Sequence, residues 1–351
     1  MSAPGQPPDP LTGHGSDVLA FDIGGANLKA ADERGRVWAE GFELWRRADE
    51  LGPRLAALAA GRPRRIVATM TGEIADCYPD RAAGVAGIVA ALLHAARSID
   101  AELGIYRLDG RIVSAEEALS APLSVAASNW HALARLAAAR ADSDRALLVD
   151  VGSTTTDIVL LDRRGPRSLA TDDAGRMASG ELVYTGIERT PVAAIVRSLP
   201  LAGRRRAVAA ETFARSQDAW LLLGGLPEDP ASHDTADGGP ATRDAARTRL
   251  ARMTLLEPAE VGQDDAVAAA VHVADRQARL VAAAIRRVLA SHGIQPDRVV
   301  LSGHGGALAS MALARAGLDL PRLRLEEAIG PAAARAAPAV ALALVATGGI
   351  P

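Results

Sequence analysis

A buried strand that ends in an aspartate and runs at once into small residues occurs twice in this chain. That repeat constrains the fold more than any other feature. From Val18 the sequence reads VLAFDIGGANLKAADERGRVWAEGFELW. Apolar Val18–Phe21 predict a buried strand closed by Asp22 and Gly24-Gly25, residues 27–31 resume extended chain, and Glu33–Gly35 turn into a third strand over Arg36–Trp45. From Arg145 the same grammar returns as RALLVDVGSTTTDIVLLDRRGPRSLAT, with Ala146–Val149 ending in Asp150, then Gly152-Ser153, a second strand over Thr154–Leu161, and a turn at Arg163–Gly165. Self-similarity of this kind predicts a duplicated architecture.

Each unit has a specific chemistry. Glycine directly after a buried strand lets the backbone approach a ligand, with its amides turned to an anion. A carboxylate at the strand end repels phosphate but holds magnesium or its waters, which bridge to phosphate oxygens. Superposing the copies puts Asp150 on Asp22, Thr155 on Asn27 and Asp157 on Lys29. Lys29 and Asp157 would then face each other across a cleft as a phosphate counter-charge and a candidate base. The alternative is an ion pair between the two lips. Of the 39 basic residues only Lys29 is lysine, so it marks a place where a compact ammonium is wanted and a planar guanidinium is not.

The remaining segments add to the same cleft. Residues 51–61 predict a short helix, and Arg65–Thr69 a strand running into TMTGEIADCYPDR. Thr69, Thr71, Gly72 and Glu73 lie at that strand's carboxyl end, where open α/β sheets bind ligands; Glu73 and Asp76 read equally as ligands or as solvated charges. Cys77 reads as packing. Ala82–Ser98, Ala115–Ser120 and Val125–Ala141 predict helices, with His131 a packing histidine, and residues 105–113 a hairpin around Asp109-Gly110. Gly180–Tyr184 and Ala193–Pro200 predict strands, and residues 207–225 a strand then a helix. Residues 226–262, rich in Pro and Gly and interleaving Asp234, Asp237 and Asp244 with Arg243, Arg247 and Arg249, read as an ordered, substrate-facing loop. Residues 263–292 predict a long amphipathic helix capped at Gly293. Arg298–Leu301 then delivers Gly303, His304, Gly305 and Gly306 into another helix, a third glycine turn able to meet a ligand.

Composition removes several classes of function. Cys77 is the single cysteine, which excludes an intrachain disulfide and a multi-cysteine zinc site. No run of about 18 uncharged apolar residues predicts a membrane span, and a net charge of −3 lacks the basic excess of nucleic-acid binders. Residues 1–17, polar and rich in Pro and Gly, read as a disordered tail without signal-peptide character. A cytoplasmic protein is expected, with residues 18–144 and 145–351 as two α/β domains.

Two D-x-G-[GS] hairpins, a late strand–GxGG–helix and a closing alanine-rich helix resemble the superfamily of sugar kinases, 70-kDa chaperones and actin. That resemblance implies a duplicated two-domain α/β fold that clamps a phosphate tail and a divalent metal in an interdomain cleft. Within it, DIGGANLK and DVGSTTTDIV look like the hydantoinase/oxoprolinase branch. The strings TMTGEIADCYPDRAAGV, ASNW, ETFARSQDAWLLLGGLPED, TADGGPATRDAARTRLARM and SGHGG resemble the tetrahydromethanopterin-linked one-carbon transfer pathway family. Its archaeal relatives include the methanofuran-biosynthesis synthase that joins an aminomethylfuran diphosphate to the phenol of glutamyl-tyramine.

By that resemblance Asp22 and Asp150 would hold Mg2+. Gly24, Gly25, Asn27, Gly152, Ser153, Thr154 and Thr155 would cradle the diphosphate, and Lys29 would neutralise its developing charge. Asp157 would act as base or orienting group toward the phenol, and the 303–306 turn would hold the organic part of a substrate. Trp45, Trp130, Tyr184 and Trp220 are the few rings available to stack on it. Two other readings use the same hairpins: an ATP-dependent kinase or amidohydrolase, and a non-catalytic nucleotide-binding module.

Overall fold

The computed structural model describes residues 17–61 and 63–350. The N-terminal tail read from the sequence therefore lies, up to residue 16, outside the described residues. Among those described, no helix is long and apolar enough to cross a membrane.

The first sheet is built from β1 (Val18–Ile23), β2 (Asn27–Asp32), β3 (Val37–Gly41), β4 (Arg65–Met70), β5 (Glu102–Tyr106) and β6 (Ile112–Val113), in the order β3-β2-β1-β4-β5-β6. β1 is antiparallel to β2 and parallel to β4, and β4 is parallel to β5. All six residues of β1 are buried, as expected of a central strand covered on both faces. The second sheet comprises β7 (Ala146–Val151), β8 (Thr156–Asp162), β9 (Gly165–Arg167), β10 (Leu182–Val183), β13 (Arg298–Ser302) and β14 (Arg322–Arg324). Its order is β10-β8-β7-β13-β14, with β9 also pairing β8. β7 is antiparallel to β8 and parallel to β13, and β13 is parallel to β14. Strand for strand, β7, β8, β13 and β14 repeat β1, β2, β4 and β5, while β9 and β10 share the place of β3. β11 (Ser198–Leu201) and β12 (Arg204–Ala207) form a separate hairpin.

The sheets stand in five layers. Helices Leu51–Leu58 and Arg81–Ser98 cover the outer face of the first sheet. Helices Gln263–His292 and Gly306–Ala316 cover the outer face of the second. Between the sheets lie Asn129–Ala141 and Ala337–Ala346, whose alanines share one core with Ala20 and Val67 on one side and Leu148 and Val300 on the other. The last helix is buried at every position from Ala337 to Ala343, the all-round apolar character of a helix wedged between layers. It packs on β1, β2 and β4, so residues read as part of the second half complete the first.

The structure corrects several local expectations. The third strand ends at Gly41 and Leu44–Arg47 is a helical turn. Val192–Ile195 is likewise a helical turn before β11. Within 226–262, Thr242 caps a ten-residue helix, Arg243–Arg252. The acids expected to face a substrate are tied to the chain's own arginines: Asp234 to Arg189 and Arg215, Asp237 to Arg249 and Arg252, Asp244 to Arg247. Cys77 is exposed rather than packed. The long helix and its Gly293 cap stand where expected, with the Gly293 N–H on Leu289 O at φ 64°.

Candidate active site

The two strand–turn–strand units open on one cleft of about 1070 Å³ between the sheets. Their turns are closed by the same hydrogen bond. Gly24 N–H donates to Asn27 O at 3.0 Å, and Gly152 N–H donates to Thr155 O at 3.0 Å. The carbonyls beyond are taken by neighbouring segments. Leu44 and Phe42 donate to Gly25 O and Ala26 O, while Ile187 donates to Gly152 O and both Glu188 and Arg189 to Ser153 O. No hydrogen bond among the described residues takes the N–H of Gly25, Ala26, Ser153 or Thr154. Each turn thus presents donors without a partner to the cleft, the arrangement that attracts an anion.

The side chains beside the turns differ. Asp22, 3% exposed, stands across the β1–β2 ladder from Lys29, whose Nζ is 3.7 Å from Asp22 Oδ2. Asp22 Oδ1 has no partner. Burial raises the carboxyl's pKa and Lys29 opposes the rise. In the second unit the cross-strand partner of Asp150 is another acid, Asp157. Burial and Asp157 push the Asp150 carboxyl up to about 6, against a hydrogen bond from Ser302 and the charges of Lys29 and His304. Asp157 accepts from Arg176 Nη2 at 2.7 Å. Arg176 is itself buried and stacks 3.8 Å from the Trp130 ring centre. Lys29 and Asp157 therefore form no ion pair with each other; each has its own partner.

Most residues expected from the sequence come together. Asp22, Gly24, Gly25, Asn27, Lys29, Thr71, Glu73, Asp150, Gly152, Ser153, Thr154, Thr155, Asp157, Gly303, His304 and Gly306 line the cleft. Three do not. Thr69 is fully buried, its hydroxyl 2.7 Å from Ser128 Oγ. Gly72 is pressed between Leu44 and the Gly24 backbone. Gly305 lies under Val151, which a Cβ would strike. The last two are glycines for packing. Gly303, at φ 75°, sits against Val151 O and Asp150 Oδ1 where only glycine fits. His304 joins the second turn to Glu188, with Nε2 3.4 Å from Ser153 Oγ and 3.2 Å from Glu188 Oε1. Burial would raise the Glu188 carboxyl, but His304, Ser153 and Arg189 outweigh it and hold it below the usual range.

Of the candidate rings, Trp45, Trp130 and Tyr184 line the cleft. Trp220 does not; its indole N–H is buried on Gln277 Oε1. His131 is a packing residue as read, between Tyr106 and Trp130, its pKa pushed down to about 4 by burial and Arg135. Arg176, Glu188 and Arg324 also line the cleft, although no motif in the sequence marks them. For Arg176 the legible signal was only that it stands in a short helix behind an Asp172 cap. Seven buried side-chain polar atoms lack a hydrogen-bond partner among the described residues. Four of them, Asp22 Oδ1, Glu73 Oε2, Trp130 Nε1 and Arg176 Nε, belong to cleft residues. Buried polar groups are normally paired, so this wall is shaped for a polar ligand.

The paired hairpins, matched strand orders and shared cleft define a duplicated two-domain α/β protein with an interdomain cleft. The chain belongs to the hydantoinase/oxoprolinase family, whose model matches residues 64–348. It is 29% identical over 299 residues to a Methanocaldococcus jannaschii synthase, across 84% of this chain and 88% of the relative. That relative is named for a furan methanamine carrying a gamma-L-glutamylaminoethyl-phenoxymethyl group. A synthase of the same name from Methanococcus vannielii is 28% identical over 168 residues, 48% of this chain and 74% of the relative. Among solved structures, a Streptomyces griseus ROK-family glucokinase with glucose and AMPPNP gives a TM-score of 0.45 at 13% identity, over 93% of this chain and 97% of that one. Component A of the Acidaminococcus fermentans (R)-2-hydroxyglutaryl-CoA dehydratase gives 0.42 at 11% identity, over 95% and 98%.

Proposed function

We propose that this chain is a biosynthetic transferase of methanofuran-type one-carbon metabolism. It condenses an aminomethylfuran-methyl diphosphate with the phenol of glutamyl-tyramine and releases diphosphate. The observation that carries this reading is the pair of equivalent glycine turns whose unpaired amides open on one cleft beside the chain's only lysine. The relation to the two archaeal synthases supplies the substrate class.

The donor set suits magnesium. Asp22 keeps an unpartnered oxygen and Asp150 stands at the equivalent strand end, while no group of three His, Cys, Asp or Glu side chains among the described residues could hold an ion alone. Magnesium retains waters and takes one or two carboxylates plus substrate phosphates, so two acids facing a phosphate cradle are enough. When bound, the ion would neutralise diphosphate charge. The amides of Gly25, Ala26, Ser153 and Thr154 receive the diphosphate oxygens. Lys29 compensates the charge that grows on the leaving oxygen as the methylene–oxygen bond breaks, and such preorganised charge favours the transition state over the bound substrate. Asp157 holds Arg176, which fixes the wall beside Trp130 and orients what binds there. Trp45 and Tyr184, both exposed on the cleft rim, are placed to cover aromatic substrate.

The test is direct. The purified chain, magnesium, aminomethylfuran-methyl diphosphate and glutamyl-tyramine should yield equimolar diphosphate and the aryl ether by mass spectrometry. No ether, together with magnesium-dependent ADP formation from ATP, would replace the transferase reading by the kinase one.

A further inference from the structure

We propose that Glu73 is the group that takes the proton of the attacking phenol, an assignment that rests on the transferase reading above. Glu73 sits in the 3-10 turn Gly72–Ile74 just after β4, is 1% exposed, and lines the cleft. Its Oε1 accepts the Ala127 N–H at 3.1 Å, and its Oε2 has no partner. A buried carboxylate oxygen without a donor is costly, so its retention calls for a donor brought by the ligand.

Three segments fix this carboxylate. Gly84 of helix Arg81–Ser98 lies so close that a Cβ would strike the Glu73 carbonyl and Cα. Ala127 holds a left-handed φ of 48° while its N–H reaches the carboxylate, a conformation unfavourable for a non-glycine residue. The strand end and its turn set the third constraint. Burial raises the Glu73 pKa; its own backbone N–H, Arg81 and the Ala127 N–H oppose the rise, and Asp173 adds to it. Asp157, expected from the sequence to act as base or orienting group toward the phenol, is raised by burial too. Its Oδ1, however, is taken by Arg176, whose charge opposes protonation. Glu73 keeps a buried oxygen without a hydrogen-bond partner and forms no ion pair among the described residues.

The step balances within the substrates and this side chain. The phenol O–H proton passes to Glu73 Oε2, and the phenol oxygen's electron pair forms the bond to the furan methylene carbon. The bond from that carbon to diphosphate breaks, its electron pair leaving on the diphosphate oxygen beside Lys29.

Glu73→Gln keeps an oxygen for the Ala127 N–H but cannot take a proton. Wild type and variant are assayed with glutamyl-tyramine and with its ring-fluorinated analogues, whose phenols are progressively more acidic. Magnesium-pyrophosphate binding serves as the check on the fold. The expected result is a kcat lowered about 10²- to 10⁴-fold, near-unchanged KM values and pyrophosphate affinity, and a deficit that shrinks as the phenol becomes more acidic. A variant within threefold of wild type, or a deficit constant across the phenols, overturns the assignment while the transferase reading stands. So does a loss confined to the KM of the aminomethylfuran substrate, which would make Glu73 an ammonium contact. A wild type inert with every phenol overturns the reading and the assignment together.

Discussion

The two hairpins share a backbone and differ in charge. In the first, Asp22 faces Lys29; in the second, Asp150 faces Asp157. Turn hydrogen bonds, parallel neighbours and amides without partners match, so the duplication fixed the turn geometry twice. The charges around it diverged. The first lip keeps a lysine about one-third exposed, able to follow a ligand. The second sets two acids side by side and neutralises one with the buried Arg176. On the transferase reading such a site is directional: each lip offers one strand-end acid to magnesium, and only the first adds a lysine as counter-charge for a leaving anion.

If that asymmetry is functional, the largest effect follows from removing the lysine. Lys29→Ala should cut turnover about 100- to 1000-fold, the 2.7–4 kcal/mol typical of one preorganised charge contact. Lys29→Arg should restore only part of it, because a forked guanidinium replaces a compact charge. The stability loss should be modest beside this, since the pair is long at 3.7 Å and Lys29 is one-third exposed, although Asp22 itself is buried. Full activity of Lys29→Ala in a diphosphate-release assay would reduce the first lip to a mere copy of the second.

A somewhat smaller effect, on stability, belongs to the second lip. Arg176→Met should cost about 3 kcal/mol, the low end for breaking a buried pair because Asp157 retains some solvent contact. Adding Asp157→Asn should recover much of that loss. Thermal melts of the single and double variants measure it, and independent, additive losses would show that the pair is uncoupled.

Smaller still is a pH effect read on binding. With the Asp150 carboxyl raised to about 6, magnesium must compete with a proton below that value. Magnesium-dependent pyrophosphate affinity should fall towards tenfold per pH unit from pH 6 to 5. The stability sign is opposite. A carboxyl whose folded pKa lies above its unfolded value contributes stability below the unfolded pKa and loses it as pH rises through 6. The ligand-free chain should therefore melt higher at pH 5 than at pH 7.5 as far as this group decides, and a binding profile flat from pH 7.5 to 5 would remove Asp150 from the site.

The hairpins were legible because their signal is local: a fully apolar run, an acid, then glycine, met twice. The helix Gln263–His292 was legible for the same reason, through its period and its Gly293 cap. Other parts depend on distant partners. The helix Arg243–Arg252 has almost no apolar face, and it is held by Arg249, buried on Asp218 and Asp237; polar periodicity looks like a loop in sequence. Arg176 gains its role only when the layered core brings Trp130 under it. Thr69 shares its register with Asp22, so its position was right while its hydroxyl turned inward to Ser128. Glu73 was visible as an acid at a strand end, but its free oxygen follows from Gly84 and Ala127, which lie far from each other in sequence.

The central claim is that both hairpins hold one diphosphate through magnesium. Calorimetric titration of pyrophosphate, with and without magnesium, into wild type, Asp22→Asn and Asp150→Asn tests it most directly. The expected result is magnesium-dependent binding at a single site in the wild type, weakened at least tenfold in each variant while the melting transition persists. Binding that ignores magnesium, or that survives both substitutions unchanged, would contradict it.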